Sequence, residues 1–229
     1  MVDGRLDVPW AVARAVLGSI LAATHRLRFE GLENIPASGG AVVSGNHISV
    51  LDPFVVGLAV AGLGRKIHFL TVTEVSDHPV AAWTLRTLDQ VSIRREAGDR
   101  RTFNRFAALA RGGALTGVFP EGRIGDGRRL LAPQKGAARV ALSADVPVIP
   151  AGLWGTQERW PNTGLRLTRP LRPTVALVFG RPIVASGDPR CPGDVRALRD
   201  RIMREIEALA SCARRLSAPP DGRVGTIRE

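Results

Sequence analysis

Ser44-Gly45-Asn46-His47-Ile48-Ser49-Val50-Leu51-Asp52-Pro53 sets a histidine and a carboxylate five positions apart, behind the short apolar run Ala41–Ser44. On a continuous helix five residues turn through about 500°, which leaves the two side chains ~140° apart and out of reach. If they meet, the chain must break between them, with His47 in a loop that leaves a strand at Ala41–Ser44 and Asp52 at the start of a helix. The local residues favour this. Asp52 suits an N-cap, Pro53 suits the first helical position, and Phe54–Ala61 supplies an apolar helix closed by Gly62 or Gly64. A carboxylate bound to one imidazole nitrogen leaves the other free as a general base, with its tautomer and orientation set by that bond. A hydrogen-bonded structural pair would use the same two residues, and this stretch alone does not separate the two readings.

Working outward, Arg26–Glu30 alternates polar and apolar like a half-buried strand, and Gly31–Pro36 with Ser38-Gly39-Gly40 turns the chain into Ala41. Downstream, Lys66–Val72 has strand composition, Pro79–Leu88 helical composition, and Val91–Ile93 forms a short strand ending in Arg94-Arg95-Glu96. Asp99–Ala110 places Phe103, Phe106, Ala107 and Ala110 at helical spacing before the terminators Gly112 and Gly113. Ala114–Phe119 then reads as a buried strand that delivers Pro120-Glu121-Gly122-Arg123 to a loop. Lys135–Ala144 is a further helix, Val146–Leu153 a strand holding two prolines, and Thr174–Phe179 another strand. In the last helix, Asp194–Ala210, the stripe Val195, Leu198, Ile202, Ile206 and Leu209 faces a core and arginines lie opposite.

Strands alternating with helices predict one α/β domain, a mixed and mostly parallel sheet flanked by helices on both faces. In such a sheet the loops at the carboxyl ends of strands gather the chemistry. Three loops qualify: Asn46–Asp52, Arg94-Arg95 and Glu121–Arg123. Together they offer a base, its orienting carboxylate and guanidinium groups suited to a phosphate.

Residues 1–25 read as a separate N-terminal element, and 217–229, rich in proline, glycine and charge, as a flexible tail on the 26–216 domain. Within Val8–Thr24 the uncharged run from Ala15 to Thr24 is ten residues, too short to span a bilayer. An interfacial helix anchored by Trp10 fits this run, and a plain core helix fits it as well.

At 229 residues and 45% apolar composition the chain can bury one sizeable core. Cys191 and Cys212 have no metal-like spacing, so neither a disulfide framework nor a zinc site is expected, and a reducing compartment is the simpler assumption. Net charge is +11, and the stretch from Arg94 to Arg139 carries 11 basic against 4 acidic residues, a net of +7. Excess of this kind suits a phosphate-bearing partner or an anionic membrane surface, although arginine replacing lysine on a solvated face accounts for part of it. A nucleic-acid partner is not supported, because the chain has no tyrosine, 5% aromatics and no basic stretch interleaved with stacking residues.

Four stretches in order resemble the blocks of the glycerolipid acyltransferase family, whose 1-acyl-sn-glycerol-3-phosphate (lysophosphatidic acid) acyltransferases make phosphatidic acid. Asn46-His47 through Asp52 resembles the first block, histidine, four residues, aspartate. Val91-Ser92-Ile93-Arg94-Arg95-Glu96 resembles the second, with Arg95 at the family's phosphate-binding arginine. Phe119-Pro120-Glu121-Gly122 resembles the third, and Val146-Pro147-Val148-Ile149-Pro150 the fourth. The likeness runs from about Arg28 to Ile183 and includes Lys135-Gly136-Ala137-Ala138-Arg139.

The resemblance implies a glycerol-3-phosphate acyltransferase-like fold, with 26–216 as the acyltransferase domain. It implies that His47, paired with Asp52, removes a proton from an acceptor hydroxyl that attacks the thioester of acyl-CoA or acyl carrier protein, with no acyl-enzyme intermediate. Asn46, Arg95, Glu121, Gly122 and Arg123 are then the expected substrate-binding residues. No metal or resident cofactor is implied, the acyl thioester being a co-substrate. The expected partners are a lysophospholipid and a membrane surface bound peripherally, at the cytoplasmic face. No nucleophile competes, since no Gly-x-Ser-x-Gly occurs and neither cysteine lies near the blocks. Two departures bear on the acceptor. Arg123-Ile124-Gly125 stands where phosphatidate-forming members usually continue threonine, arginine, serine, and Arg94 stands where they usually have an aspartate. Another lysophospholipid or a lipid-linked acceptor is therefore the alternative within the class, and a non-catalytic lipid or acyl-carrier binding module the alternative outside it. Retention of both His47 and Asp52 argues against the latter.

Overall fold

The computed structural model describes residues 6–72, 85–93, 100–166 and 172–218. In chain order its main elements are α1 (Val8–Thr24), β1 (Arg26–Glu30), β2 (Ala41–Gly45), α2 (Asp52–Gly62), β3 (Ile67–Val72), β4 (Val91–Ile93), α3 (Arg100–Arg111), β5 (Leu115–Val118), α4 (Gly136–Ala144), β6 (Val148–Trp154), β7 (Thr174–Phe179) and α5 (Pro192–Ser217). The strands form one seven-stranded sheet in the order β1-β7-β6-β2-β5-β3-β4. Every neighbouring pair is parallel except β6 and β7.

The period of two along each strand sorts its side chains between two cores. On β2, Ala41 and Val43 join the core beneath α1 and α2, and Val42 joins the one beneath α3, α4 and α5. On β7, Val175, Leu177 and Phe179 face the first core, while Ala176 and Val178 meet Ala213 of α5. Helices therefore cover both faces, and the helix α5 lies so close over β6 that a Cβ on Gly152 would fall 2.1 Å from the Leu209 backbone.

Most expected elements appear with ends within a residue or two, and the differences have local causes. The last helix extends past both expected ends, from Pro192 to Ser217, because Pro192 stands in its first turn and buried Ala213 continues the apolar stripe. Asp52 is not the N-cap of α2; Leu51 holds that position and Asp52 is the first helical residue. Its carboxylate turns back onto the preceding loop instead of forward onto the helix. The expected helix Pro79–Leu88 lies outside the described residues except at its end, where Leu85–Thr87 are helical. The Arg94-Arg95 loop, and with it Arg95, also lies outside them, as does the tail from residue 219.

The helix α1 begins at an Asp7 cap that accepts from the Trp10 amide at 3.2 Å and pairs with Lys66 at 2.5 Å. Trp10 and Leu21 are buried against the protein, and Val8, Val12, Val16 and Ile20, four residues apart, stand 55–76% exposed on the other side. Among the described residues no helix is long and apolar enough to cross a membrane.

Candidate active site

Because β2 lies between β5 and β6 and parallel to both, three chain exits open at one edge of the sheet, after Gly45, Val118 and Trp154. The first carries Asn46 and His47. Asn46 is buried; its Nδ2 donates to the Leu153 carbonyl at 3.0 Å and its Oδ1 accepts from the Leu153 amide at 2.8 Å, which continues the β2–β6 pairing by one side chain. The chain then bends, and His47 Nδ1 lies 2.9 Å from Asp52 Oδ2. The loop-to-helix break required by the spacing brings the pair together.

The Asp52 carboxylate is fully buried and takes four hydrogen bonds. Besides His47, its Oδ2 accepts from the amides of Ile48 at 2.7 Å and Ser49 at 2.8 Å, and its Oδ1 accepts from Thr156 Oγ1 at 2.6 Å. Donors on every side suit an ionised carboxylate. With Asp52 accepting, Nδ1 of His47 carries the proton and Nε2 keeps a lone pair. The His47 side chain is 18% exposed, and Nε2 has no partner among the described residues. Its ring stacks on Phe119 with centroids 4.2 Å apart, and Phe119 stacks in turn on Phe69 at 5.7 Å. Gly117 makes room for this stack, since a Cβ there would fall 2.3 Å from the Phe69 ring.

Glu121 holds the same loop from the β5 side. Its Oε1 accepts from the His47 amide at 2.8 Å and its Oε2 from the Leu131 amide at 2.8 Å, while the His47 carbonyl accepts from Gly125 at 2.7 Å. Burial raises the Glu121 carboxyl above the ordinary glutamate value, against the lowering effect of the two amides and of His47. From the β6 side, Ser49 Oγ donates to the Trp160 carbonyl at 2.6 Å and accepts from the Leu51 amide at 3.0 Å, which caps the turn before α2.

Asn46 and Glu121 were expected among the substrate-binding groups; in the structure each is buried, with both polar side-chain ends engaged by backbone, a geometry that positions His47. Gly122 takes φ +66 in the turn that returns its amide to Phe119. Arg123 is exposed and pairs with neither Glu121 nor Asp126. Beside the site an apolar cleft of about 490 Å³ opens between α1 and the start of α2, lined among others by Leu17, Ile20, Leu51, Phe54 and Trp160. Among the described residues no three His, Cys, Asp or Glu side chains gather as a metal-holding group.

The protein-family model described as Acyltransferase matches residues 26–154, which span β1 through β6 and include Asn46, His47, Asp52, Phe119 and Glu121. The chain belongs to the acyltransferase family. It is 32% identical over 143 residues to a chloroplast 1-acyl-sn-glycerol-3-phosphate acyltransferase of Arabidopsis thaliana, covering 60% of this chain and 38% of that one. It is 23% identical over 193 residues to the 1-acyl-sn-glycerol-3-phosphate acyltransferase of Bacillus subtilis, covering 83% of this chain and 91% of that one. The crystal structure of the 1-acyl-sn-glycerophosphate acyltransferase of Thermotoga maritima superposes with a TM-score of 0.71 at 23% identity, over 93% of this chain and 81% of that one, a likeness of fold. The chain spans about two fifths of the length of the first plant relatives it matches.

Within this candidate site, reading the sequence missed Thr156 and the Trp160 carbonyl. A signal existed: Gly155-Thr156 follows a strand directly, as Asn46-His47 does. Only the neighbouring of β6 and β2 reveals that the two exits share an edge.

Proposed function

We propose that the protein transfers an acyl group from acyl-CoA or acyl carrier protein to the free hydroxyl of lysophosphatidic acid, forming phosphatidic acid. His47 Nε2 takes the hydroxyl proton as the oxygen attacks the thioester carbonyl. The tetrahedral intermediate then expels the thiolate, which receives that proton from the imidazolium. Asp52 fixes the tautomer and stabilises the imidazolium while it exists. The single observation that carries the reading is the 2.9 Å His47–Asp52 bond with Nε2 left without a partner among the described residues; an apolar cleft opens at Leu51, next to Asp52 in the chain. That cleft takes an acyl chain, and the exposed stripe of α1 lays the protein peripherally on the cytoplasmic face of the membrane.

The shifted guanidinium of Arg123 keeps a second acceptor in view, another lysophospholipid or a lipid-linked alcohol. One experiment tests both. Purified protein is incubated with labelled acyl-CoA or acyl carrier protein and a panel of lysophospholipids, beside His47→Ala and Asp52→Asn variants of intact circular dichroism. The expected result is product from lysophosphatidic acid, no transfer by His47→Ala, and a loss of at least ~10² in Asp52→Asn, as for a lost general-base arrangement. Wild-type rates in His47→Ala overturn the mechanism. Product from a different lysophospholipid alone overturns the acceptor.

A further inference from the structure

The face of the sheet opposite α1 carries a second cleft. It measures about 470 Å³ and lies between α3, the start of α4 and α5, with Phe103, Pro133, Gln134, Lys135, Arg139 and Arg199 among its walls. Its lining includes three cations and no carboxylate. Arg199 pairs with Asp200 at 2.7 Å on its own helix. Lys135 and Arg139, one helical turn apart, are exposed and have no side-chain partner among the described residues. Lys135 and Arg139, like charges without a counterion, repel one another and the nearby Arg199, and an anion seated there relieves the repulsion.

The cleft is tied to the catalytic edge. The Gln134 amide donates to the Pro120 carbonyl at 2.6 Å, and the next residue, Glu121, holds the His47 amide at 2.8 Å. Its cations therefore sit one loop away from the base. An acceptor such as lysophosphatidic acid carries its phosphate a few bonds from the hydroxyl that reacts, so that phosphate must lie close to Nε2. A thioester donor carries its phosphates at the far end of the pantetheine arm. Cations displaced from the base, on the face away from the apolar stripe of α1, suit the donor.

We propose that the cleft formed by Lys135, Arg139 and Arg199 seats the phosphates of the acyl donor, an inference that rests on the acyl-transfer reading. Lipid and donor then approach from opposite faces of the sheet and meet at His47. Arg139 offers a forked pair of donors to a phosphate and Lys135 a mobile ammonium.

The test measures binding of free CoA to the full chain by calorimetry, and steady-state kinetics with acyl-CoA, acyl-3′-dephospho-CoA, acyl carrier protein and the phosphate-free acyl-pantetheine. Lys135→Ala with Arg139→Ala should weaken CoA binding by roughly tenfold or more, the scale of a lost charge-assisted contact. It should raise the donor KM to match, and leave both the acceptor KM and turnover of acyl-pantetheine unchanged. Lys135→Gln and Arg139→Gln, tested singly, provide the same readout if the double variant folds poorly. A defect confined to acyl-CoA assigns the nucleotide phosphates; one shared with the carrier protein assigns the pantetheine 4′-phosphate common to both. An unchanged CoA affinity, an equal defect with acyl-pantetheine, or a rise in acceptor KM alone overturns the proposal. Absence of acyl transfer to every lysophospholipid, with CoA binding still dependent on Lys135 and Arg139, overturns the acceptor assignment and sustains the cleft.

Discussion

Thr156 Oγ1 donates to Asp52 Oδ1 at 2.6 Å, across 104 positions of sequence. The carboxylate that orients His47 is thus anchored from the exit of β6, and its other oxygen is left to the histidine and two loop amides. Thr156→Val keeps the shape and removes the donor. A hydrogen bond to a charged group contributes about 1.5–3 kcal/mol, so kcat should fall by roughly tenfold or more. The KM of the acceptor should hold, because Thr156 is buried behind Asp52. Thr156→Ser should restore most of the rate. Equal activity in Thr156→Val and wild type would show that the loop amides alone suffice.

The sheet and the loop carrying His47 are legible from short-range signals. Period-two alternation defines Arg26–Glu30, an apolar run defines Thr174–Phe179, and the five-residue interval between His47 and Asp52 demands a break before α2. What escapes are relations between segments far apart in sequence. Asp52 looks like an N-cap because its type and its following proline fit that role. Its carboxylate faces backward only because Thr156 and the amides of Ile48 and Ser49 surround it there. Glu121 likewise looks like a group awaiting substrate until Leu131 and His47 are seen to occupy both its oxygens.

The buried His25 makes stability depend on pH. Burial, and then the charge of Arg159, hold its imidazole below the ordinary value of 6.5, against a smaller opposing effect from the Leu21 carbonyl. Below 6.5 the unfolded chain binds a proton that the folded chain does not. The stability tied to His25 is therefore fully present above that pH and is lost as pH falls through the window down to the depressed folded value. Thermal unfolding of wild type should show this loss, and His25→Gln should reduce it. Identical pH profiles for the two proteins would remove His25 as the cause.

Val12 and Val16 project from the middle of the α1 stripe, each more than half exposed. Replacing both with aspartate should weaken binding to anionic vesicles by roughly tenfold or more per residue, from the apolar burial lost by each valine. The melting temperature should hardly move, since neither side chain packs in the core. Membranes washed with high salt or carbonate should release a substantial part of the wild-type protein. Resistance to both washes, with release only by detergent, would contradict a peripheral seat.

Arg123 stands exposed two residues after Glu121, without the ion pair to Glu121 or Asp126 that would give it a structural role. A guanidinium with no ion pair among the described residues, beside the His47 loop, is suited to the acceptor's phosphate, and each charge-assisted contact is worth about 1.5–3 kcal/mol. Arg123→Ala should accordingly lower kcat/KM for lysophosphatidic acid by roughly tenfold to a hundredfold. Arg123→Lys should recover part of that, keeping the charge and losing the fork. The donor KM should change little, which distinguishes this site from the cleft at Lys135 and Arg139. The same substitutions at Arg95 test the second arginine the sequence pointed to. If Arg95→Ala and Arg123→Ala both leave lysophosphatidic acid kinetics unchanged, the phosphate is recognised elsewhere, and the panel of lysophospholipids should then return a different preferred acceptor.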